Sequence, residues 1–354
     1  MKRREMIKYG MSVAASTKFL GVAALVEFLS APVHAEATKE LRVLTWEGYA
    51  DDAWVRAFEK QTNCRVKVSY TGSVDEIFAK MAATKGADFD VIAVETSSYR
   101  ALVKQKLIQP LNQSKLPNLI NLTPAFRNVP AVVFDSKLYA VPFTWGSNAL
   151  IYDKKIFATA PGWEIFWDPK YSGRVLGLDD ATTMIVTTAL VLGIKDPFNL
   201  TDDQFNAVKI KMIEQKKQIL SYYAGYDDGV STMAQGGVVA MMSMGEPQVA
   251  QLKAKGMDCA IAIPKQGAIG WIDCHTISAG ARNPDLAHAY INFMMDKRVG
   301  KYVSEKTNYG NTTDQSANDK LGYNYENRLI FLQAPESQTR RIALWNEVKA
   351  TRVR

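Results

Sequence analysis

The sequence predicts an α/β protein of two lobes, in which largely parallel sheets are flanked by helices. Short apolar strands alternate with amphipathic helices from Leu41 onwards, which is the order of an α/β fold. The chain of 354 residues is longer than one hydrophobic core usually serves, so two lobes are expected. No stretch of 18 apolar residues is free of a charged residue, which excludes a protein with several membrane spans.

The first 35 residues have the layout of a cleavable export signal. A basic segment with the pair Arg3 and Arg4 precedes an apolar stretch, and small residues precede a cut expected before Glu36. The arginine pair resembles that of twin-arginine signals. An amphipathic cytoplasmic helix is the alternative reading. We expect the mature protein in a bacterial periplasm, with the signal peptide removed.

The mature chain begins with a β-α-β-α-β order. Strands are expected at residues 41–45, 66–70 and 91–94, and helices at 51–61 and 74–81. On both helices the apolar residues recur at helical spacing, so each helix has one face for a core. This order predicts a parallel sheet with helices on both faces.

A second set of strands and helices begins after Trp145. Strands are expected at 149–152, 175–178, 238–242 and 260–263, and helices at 182–192, 202–218, 247–255 and 285–295. Another strand is expected to open at Gly270. The sequence contains no linker rich in serine and glycine, so short crossing segments should join the lobes.

Charge and cysteine content exclude several other classes of protein. The formal net charge is +7, and 38 basic and 34 acidic residues remain outside the first 35. The basic residues are scattered, so no nucleic-acid partner is expected. Three cysteines allow at most one intramolecular bridge, for which Cys259 and Cys274 are the candidates, while Cys64 should be a buried free thiol. No metal-binding spacing occurs, and neither a metal nor another cofactor is expected.

Polar, acidic and aromatic residues follow the predicted strands or open them. They are Trp46 and Glu47, Glu95 and Ser97, Asp179 and Asp180, Gly245 and Glu246, and Trp271 and Asp273. In open α/β sheets the carboxyl ends of the strands face a ligand-binding cleft. Aromatic faces beside carboxylates suit an organic cation, through cation–π contact and charge-assisted hydrogen bonds. A cleft for such a cation is therefore predicted between the lobes.

Several longer motifs occur in order along the mature chain. They are VLTWEGY at 43–49, FDVIAVET at 89–96, LIQPLNQSKLPNL at 107–119, YAVPFTWGSNALIYD at 139–153, LDDA at 178–181 and IPKQGAIGWIDCHTISAGARNPDLA at 263–287. Together they resemble the periplasmic spermidine/putrescine-binding proteins of ABC importers. The resemblance implies the type II periplasmic binding protein fold, with mixed, mostly parallel sheets in two lobes that close about a hinge. It also implies a monomeric protein that delivers its ligand to a membrane permease and ATPase.

The resemblance also implies lobe boundaries. The N-terminal lobe would comprise residues 36–143 and 275–304. The C-terminal lobe would comprise residues 144–274 and 305–354.

The resemblance assigns individual residues to ligand binding. Trp46 matches the family's cleft tryptophan, Trp271 an aromatic residue that stacks on the polyamine chain, and Tyr309 a tyrosine late in the chain. Asp180 and Asp273 match two acids that hold the ammonium groups of the ligand.

The sequence departs from the family at several of these positions. Thr183 stands where the family often has an acid, Ser243 where it has a second tryptophan, and Ser97 where an aromatic residue often lies. Three acids stand where the family usually has small or hydroxyl residues: Glu47, Glu95 and Glu246. The expected solute is therefore a polyamine or a related small organic cation.

Each candidate residue also has a purely structural interpretation. Asp180 can cap the helix that follows it, although Asp179 is available for the same task. Asp273 can be a solvated charge at a sheet edge, and Glu95 and Glu246 can be surface charges at helix termini.

Other functions remain open at this stage. Cys274 and His275 suggest the thiol and base of a fold-related enzyme, but adjacent residues of a strand point to opposite faces, so a binding protein and not an enzyme is expected. Tyr222 and Tyr223 suggest a ferric-ion carrier, to which the same objection applies. Quaternary amines and opine-like zwitterions are further solutes that this fold could bind.

Overall fold

The computed structural model describes residues 39–323 and 328–353. The export signal predicted for residues 1–35, with its cleavage site before Glu36, lies outside these residues. Within the described ranges, no helix has both the length and the apolarity needed to cross a bilayer.

Two large sheets organise the described part of the chain. Its strands are β1 (Lys39–Trp46), β2 (Cys64–Thr71), β3 (Val91–Glu95), β4 (Ile108–Gln109), β5 (Val133–Phe134), β6 (Lys137–Leu138), β7 (Ala140–Asn148), β8 (Leu150–Asp153), β9 (Val175–Leu178), β10 (Ile219–Tyr223), β11 (Ala240–Met242), β12 (Cys259–Ala262), β13 (Ala268–Ser278), β14 (Gly310–Asn311) and β15 (Leu329–Phe331).

Helices cover both sheets. They are α1 (Asp52–Thr62), α2 (Val74–Thr84), α3 (Tyr99–Lys104), α4 (Ala181–Val191), α5 (Asp202–Lys216), α6 (Tyr226–Ala234), α7 (Pro247–Ala254), α8 (Pro284–Met294), α9 (Lys297–Thr307), α10 (Gln315–Leu321) and α11 (Gln338–Ala350).

The larger sheet is mixed, with the strand order β14-β7-β13-β3-β1-β2, and β4 and β15 also pair with β13. The β-α-β-α-β segment supplies its parallel part, because β1 pairs in parallel with both β2 and β3. In contrast, β13 runs antiparallel to β3 on one side and to β7 on the other. A residue at the centre of β13 is therefore enclosed by strands on both sides.

Local sequence explains how the first helix forms and packs. Asp51 caps α1, its side chain accepting a hydrogen bond from the backbone N–H of Ala53 at 2.9 Å. Trp54 and Phe58 lie on one face and are buried, and the ring of Phe58 meets Tyr290 of α8 edge to face at 5.1 Å. One face of the larger sheet is covered in this way.

The smaller sheet has the order β10-β9-β11-β8-β12. Strand β9 is parallel to β10 and β11, whereas β8 is antiparallel to β11 and β12. Helix α4 is apolar on nearly every side and is buried against α5 and α11. Its N-terminus follows directly from the carboxyl end of β9, so the edge at which the parallel strands end also carries a helix N-terminus.

The described part of the chain passes between the two sheets three times. Only Ala149 separates β7 from β8, the segment from Ile263 to Gly267 leads from β12 into β13, and a third segment leads from β15 to α11. The lobe boundary predicted at residues 274/275 falls inside β13, whose pairing places the whole strand in the larger sheet. The short strand β14, expected in the C-terminal lobe, also pairs with β7 of the larger sheet.

The cysteine prediction is half right. Cys64 is a buried free thiol, as expected. The prediction that Cys259 and Cys274 are candidates for a bridge is wrong, because both are free thiols and they lie in different sheets, on β12 and β13.

Candidate functional site

A cleft of about 880 Å³ opens between the two sheets. It is lined by residues from the ends of β1, β3 and β9, by the loops that follow β10 and β11, and by the first half of β13. Eight of the nine predicted site residues line it: Trp46, Glu47, Glu95, Ser97, Asp180, Trp271, Asp273 and Tyr309. The fold thus brings together positions that are up to 263 residues apart in sequence.

Asp273 lies deepest among the acids of this cleft. It sits on β13 between Glu95 of β3 and Thr144 of β7, and only 6% of it is exposed. Burial raises the pKa of Asp273 to about 7, and the negative charge of Glu95 adds to this effect, while a hydrogen bond from Tyr49 opposes it. The solvated edge charge considered as its structural alternative is therefore wrong.

Tyr49 lines the cleft but is not among the nine predicted site residues. Its hydroxyl donates to Oδ2 of Asp273 at 2.6 Å, and it also lines the cleft. Burial, together with the charge of Asp273, raises the pKa of Tyr49 well above its ordinary value, so the hydroxyl remains a donor. The signal was present in the motif at 43–49: Gly48 has φ +86° and turns the chain so that the next residue points back to the sheet.

Glu95 is held by two serine hydroxyls. Ser97 and Ser98 each donate to Oε1 of Glu95 at 2.8 Å, across the turn that follows β3. Ser97 therefore orients Glu95 as well as lining the cleft. The side chain of Glu95 is only partly exposed and belongs to the cleft wall.

Aromatic rings form a second part of the same wall. Trp271 meets Tyr309 edge to face, with ring centroids 5.1 Å apart, and Tyr309 meets Tyr49 in the same way at 6.3 Å. A side chain at Gly146 would put its Cβ 2.3 Å from Cζ2 of Trp271, so the absence of a side chain there lets the indole lie against β7. Trp46 is half-buried and lines the cleft beside these rings.

Glu246 is the one predicted site residue outside the cleft lining. It is buried, and its carboxylate accepts hydrogen bonds from the hydroxyl and the backbone N–H of Ser147, at 2.6 and 3.1 Å. Its burial excludes the surface charge considered as its structural alternative. Instead, Glu246 ties the loop after β11 to the segment where β7 crosses to the smaller sheet.

Ser243, which replaces a tryptophan of the family, also belongs to this crossing. Its hydroxyl donates to the carbonyl oxygen of Ser147 and accepts from the backbone N–H of Ala149, both at 2.9 Å. It is fully buried, so it contributes no surface to the cleft.

The two acids after β9 have different partners, and the helix cap is Asp180 and not Asp179. Asp180 caps α4, accepting from the backbone N–H of Thr183 at 2.7 Å, and also lines the cleft. Asp179 accepts from Trp345 Nε1 at 2.7 Å and from Lys349 Nζ at 2.6 Å. Burial alone would raise the pKa of Asp179, but these two hydrogen bonds outweigh it, so its pKa lies below the ordinary value.

The chemistry of the rival functions is not assembled in the described residues. Cys274 packs in one hydrophobic cluster, whereas the ring of His275, the next residue of β13, lies against Phe143 and Tyr290. Burial lowers the pKa of His275 to about 3. Tyr222 packs against Trp345, whereas the hydroxyl of Tyr223 donates to a backbone carbonyl. The described ranges contain no group of three or more histidines, cysteines or acids placed to hold a metal ion.

The cleft has a uniform sign of charge. Six carboxylates of the described residues line it: Glu47, Asp75, Glu95, Asp179, Asp180 and Asp273. Among the described residues that line it, none is a lysine, an arginine or a histidine. An arrangement of this kind attracts cations and repels anions.

Two α/β lobes around a cleft built from strand ends define the class of two-lobed ligand-binding proteins. The family described as bacterial extracellular solute-binding protein matches residues 53–328, and the chain belongs to this family. It is accordingly a binding protein and not an enzyme.

Relatives and solved structures agree with this assignment. The chain is 28% identical over 300 residues to the spermidine/putrescine-binding periplasmic protein of Escherichia coli (strain K12), covering 83% of each chain. It is 28% identical over 307 residues to the putrescine/cadaverine-binding protein of Pseudomonas aeruginosa, covering 82% of each. The resemblance to periplasmic polyamine-binding proteins is thereby confirmed.

A solved structure shows the fold. The substrate-binding protein of a spermidine/putrescine ABC transporter from Streptococcus pneumoniae superposes with a TM-score of 0.77 at 18% identity, covering 88% of this chain and 98% of that one. The prediction of a type II periplasmic binding protein fold is confirmed.

Proposed function

We propose that this protein is the substrate-binding component of an ABC importer. In this proposal it captures a polyamine or a related small organic cation in the periplasm, closes its two lobes on the solute and delivers it to a membrane permease and ATPase. It would act as a monomer. The residues proposed to contact the solute are those of the cleft wall: Trp46, Glu47, Tyr49, Glu95, Ser97, Asp180, Trp271, Asp273 and Tyr309.

The charge of the cleft carries the proposal. The described lining residues include six carboxylates and no basic side chain; Asp179 is paired with Lys349, and the other five have no counterion among the described residues. A soluble cation would supply it, through hydrogen bonds from its N–H groups to the carboxylates. An anionic solute would meet repulsion at every wall.

The aromatic wall and the relatives narrow the class of cation. Trp271 and Tyr309 offer ring faces and edges along which methylene groups can pack, and on which ammonium groups can form cation–π contacts. Both relatives compared above are named for the binding of aliphatic amines. A chain that carries amines at intervals along methylene segments fits both features.

A panel of solutes tests the proposal. Isothermal calorimetry at pH 8 should detect binding of 1,4-diaminobutane or spermidine, and weaker or no binding of glycine betaine, an opine and ferric citrate. A saturating ligand at a hundredfold its dissociation constant should stabilise the folded state by about 2.7 kcal/mol, which a thermal-shift assay detects. Tighter binding of the opine or the betaine than of every amine would overturn the assignment.

Closure of the lobes has its own test. The three short crossings between the sheets allow rotation about the segment near Ser147 without unfolding of either sheet. The radius of gyration measured by solution X-ray scattering should fall when an amine saturates the protein. An identical scattering curve with and without ligand would contradict closure.

Export is proposed from the sequence together with the location of the relatives. The pair Arg3 and Arg4, and the small residues before Glu36, motivate a mature chain that starts at Glu36. The relative from Escherichia coli is named as a periplasmic protein. N-terminal sequencing of periplasmic material should begin at Glu36, and a chain that began at Met1 would contradict cleavage.

A further inference from the structure

Two carboxylates face each other across neighbouring strands inside the cleft. Asp273 of β13 and Glu95 of β3 are directly opposed in the antiparallel register. Side chains of directly opposed residues lie on the same face of a sheet, with Cβ atoms roughly 4.5–5.5 Å apart. Both residues line the cleft, and ionisation of both places two like charges side by side, which destabilises the empty protein.

Hydrogen bonds within the protein occupy one oxygen of each carboxylate. Tyr49 donates to Oδ2 of Asp273, and Ser97 and Ser98 both donate to Oε1 of Glu95. No other hydrogen bond to either side chain occurs among the described residues. Oδ1 of Asp273 and Oε2 of Glu95 therefore remain as acceptors for a solute.

Among the residues that the structure describes, no positive charge neutralises this pair. On the cleft side, Asp273 faces Tyr49 and Tyr309. Tyr99 and Cys274 lie behind the sheet. The other acids of this wall are Glu47 and Asp75. His275, two residues along β13, is buried and uncharged above pH 3 or so, because burial lowers its pKa to about 3. The described lining contains no lysine or arginine.

We propose that Glu95 is a specificity-determining residue, which forms a two-carboxylate subsite with Asp273. This subsite binds one cationic end of the solute that bears N–H groups, and it releases a proton when that end binds. In the empty cleft Asp273 carries a proton below neutral pH. When the solute enters, the O–H bond of Asp273 breaks and the proton passes to the buffer. The cationic end then donates hydrogen bonds to Oδ1 of Asp273 and Oε2 of Glu95. This inference rests on the proposed function.

The sign of the pH dependence follows from the raised pKa of Asp273. Burial and the neighbouring Glu95 raise this pKa to about 7, so below pH 7 the solute must displace a proton, and above pH 7 it does not. Aliphatic amines stay protonated throughout this range, since their pKa values resemble that of lysine. The affinity should therefore rise about tenfold per pH unit up to neutral pH and level off above it.

The geometry also selects the chemistry of the cationic end. Two acceptor oxygens on two different side chains need at least two N–H donors from one group. A primary ammonium group has three N–H donors and a guanidinium group has five, whereas a trimethylammonium group has none. We therefore expect the subsite to accept the first two and to reject the third.

Calorimetry in two buffers of different ionisation enthalpy measures the proton exchange directly. The probes are 1,4-diaminobutane, 4-guanidinobutylamine, the same butane chain with trimethylammonium groups at both ends, and calcium chloride alone. Wild-type protein should release close to one proton per bound diamine at pH 6 and almost none at pH 8.5. The bis-trimethylammonium compound should bind at least tenfold more weakly than the diamine.

Two variants assign the proton and the second carboxylate. Asp273→Asn should release no proton at pH 6. Glu95→Gln keeps the shape that the two serines hold, and should lower the affinity for the diamine about tenfold and move the midpoint of the pH dependence to lower pH. Glu214→Gln, an exposed glutamate on α5, is the matched control and should behave as wild type. Thermal unfolding of each variant checks that it is folded.

The outcomes separate this inference from the function on which it rests. If neither amine binds wild-type protein at millimolar concentration, the proposed function fails and the subsite fails with it. If an amine binds tightly with the same affinity at pH 6 and pH 8.5, or if Glu95→Gln matches the Glu214→Gln control, only the subsite is overturned. Calcium that binds alone and displaces the diamine would make the pair a metal site and would also overturn it.

Discussion

The two acidic walls of the cleft contain the same kind of side chain in opposite physical states. On the larger sheet, Asp273 and Glu95 lie on neighbouring strands, with Asp273 almost completely buried. On the smaller sheet, Asp179 and Asp180 follow the end of β9 and are exposed. Burial raises the pKa of Asp273 to about 7, whereas Lys349 and Trp345 hold the pKa of Asp179 below its ordinary value.

The difference arises from where each wall lies in its sheet. Asp273 lies inside β13, which is hydrogen-bonded to β3 and β7, so strands and aromatic rings exclude water from it. Asp179 and Asp180 lie beyond a strand end, where one accepts from a lysine and the other caps a helix. A carboxylate that has lost its water forms a strong contact with a cation, whereas an exposed one forms a weak contact. We therefore expect the larger sheet to provide most of the affinity and the smaller sheet to attract the approaching cation.

The largest expected effect is that of Asp273→Asn on solute binding. The substitution keeps the shape but leaves the buried cation without its partner, for which losses run roughly 2–5 kcal/mol, or about thirtyfold or more in affinity. Calorimetry with 1,4-diaminobutane at pH 8 measures it. Asp203→Asn, on the exposed first turn of α5, is the control. Wild-type affinity in Asp273→Asn would remove the contrast between the two walls.

The same substitution should affect stability in the opposite direction. The pKa of Asp273 is raised above its unfolded value, so its contribution to stability is fully present below about pH 4 and is lost as the pH rises towards 7. Asparagine does not titrate, so the Asp273→Asn variant does not lose stability in this way. Between pH 5 and pH 8, its free energy of unfolding should therefore rise by about 2 kcal/mol relative to that of the wild type. Urea unfolding without ligand at both pH values measures the difference. If the variant and the wild type differ in unfolding free energy by the same amount at pH 5 and at pH 8, Asp273 titrates normally.

A smaller effect is expected for Asp180→Asn. Asparagine also caps helices well, so α4 should be retained, and an exposed ion pair is usually worth about 1 kcal/mol or less. The affinity for the diamine should fall by no more than about fivefold, and the loss should shrink at 0.5 M salt, because salt screens exposed charges. A loss as large as that of Asp273→Asn would mean that lobe closure buries this wall as deeply as the other.

The smallest effect should have the opposite sign. Lys349 neutralises Asp179 at the cleft rim, with Nζ 2.6 Å from Oδ1. Lys349→Met should therefore strengthen cation binding by about two- to threefold, within the range of exposed charge pairs. Lys67→Met, at the far edge of the larger sheet, is the matched control. Weaker binding in Lys349→Met would show that this lysine supports the wall instead of competing with the solute.

Much of the fold could be predicted because local patterns determine it. The strand at 175–178 lies where its apolar run placed it, and the predicted helix at 202–218 is α5 (Asp202–Lys216). Glu95, Asp180 and Asp273 could be placed at the cleft because side chains at strand ends, and alternate residues on one strand, share a face. These relations extend over a few residues, and the backbone hydrogen bonds of helices and strands enforce them.

Contacts between distant residues could not be predicted in this way. The antiparallel pairing of β13 with β3 opposes residues 178 positions apart, and only this pairing makes Glu95 the neighbour of Asp273. The bond from Tyr49 to Asp273 spans 224 positions, and that from Ser147 to Glu246 spans 99. Local spacing also left Asp179 and Asp180 interchangeable as helix caps, until Lys349 and Trp345 of α11 determined their roles.

The sequence by itself determined the α/β class, most strands and helices, the acidic and aromatic character of the cleft, and the family. Tertiary structure alone decided which acids are buried, which are paired and which merely support the fold. The physical reason is that hydrophobic periodicity acts along the chain, whereas the loss of water around a carboxylate depends on every strand and ring packed against it. Asp273 and Asp179 are the same amino acid, and only their surroundings in the folded protein distinguish them.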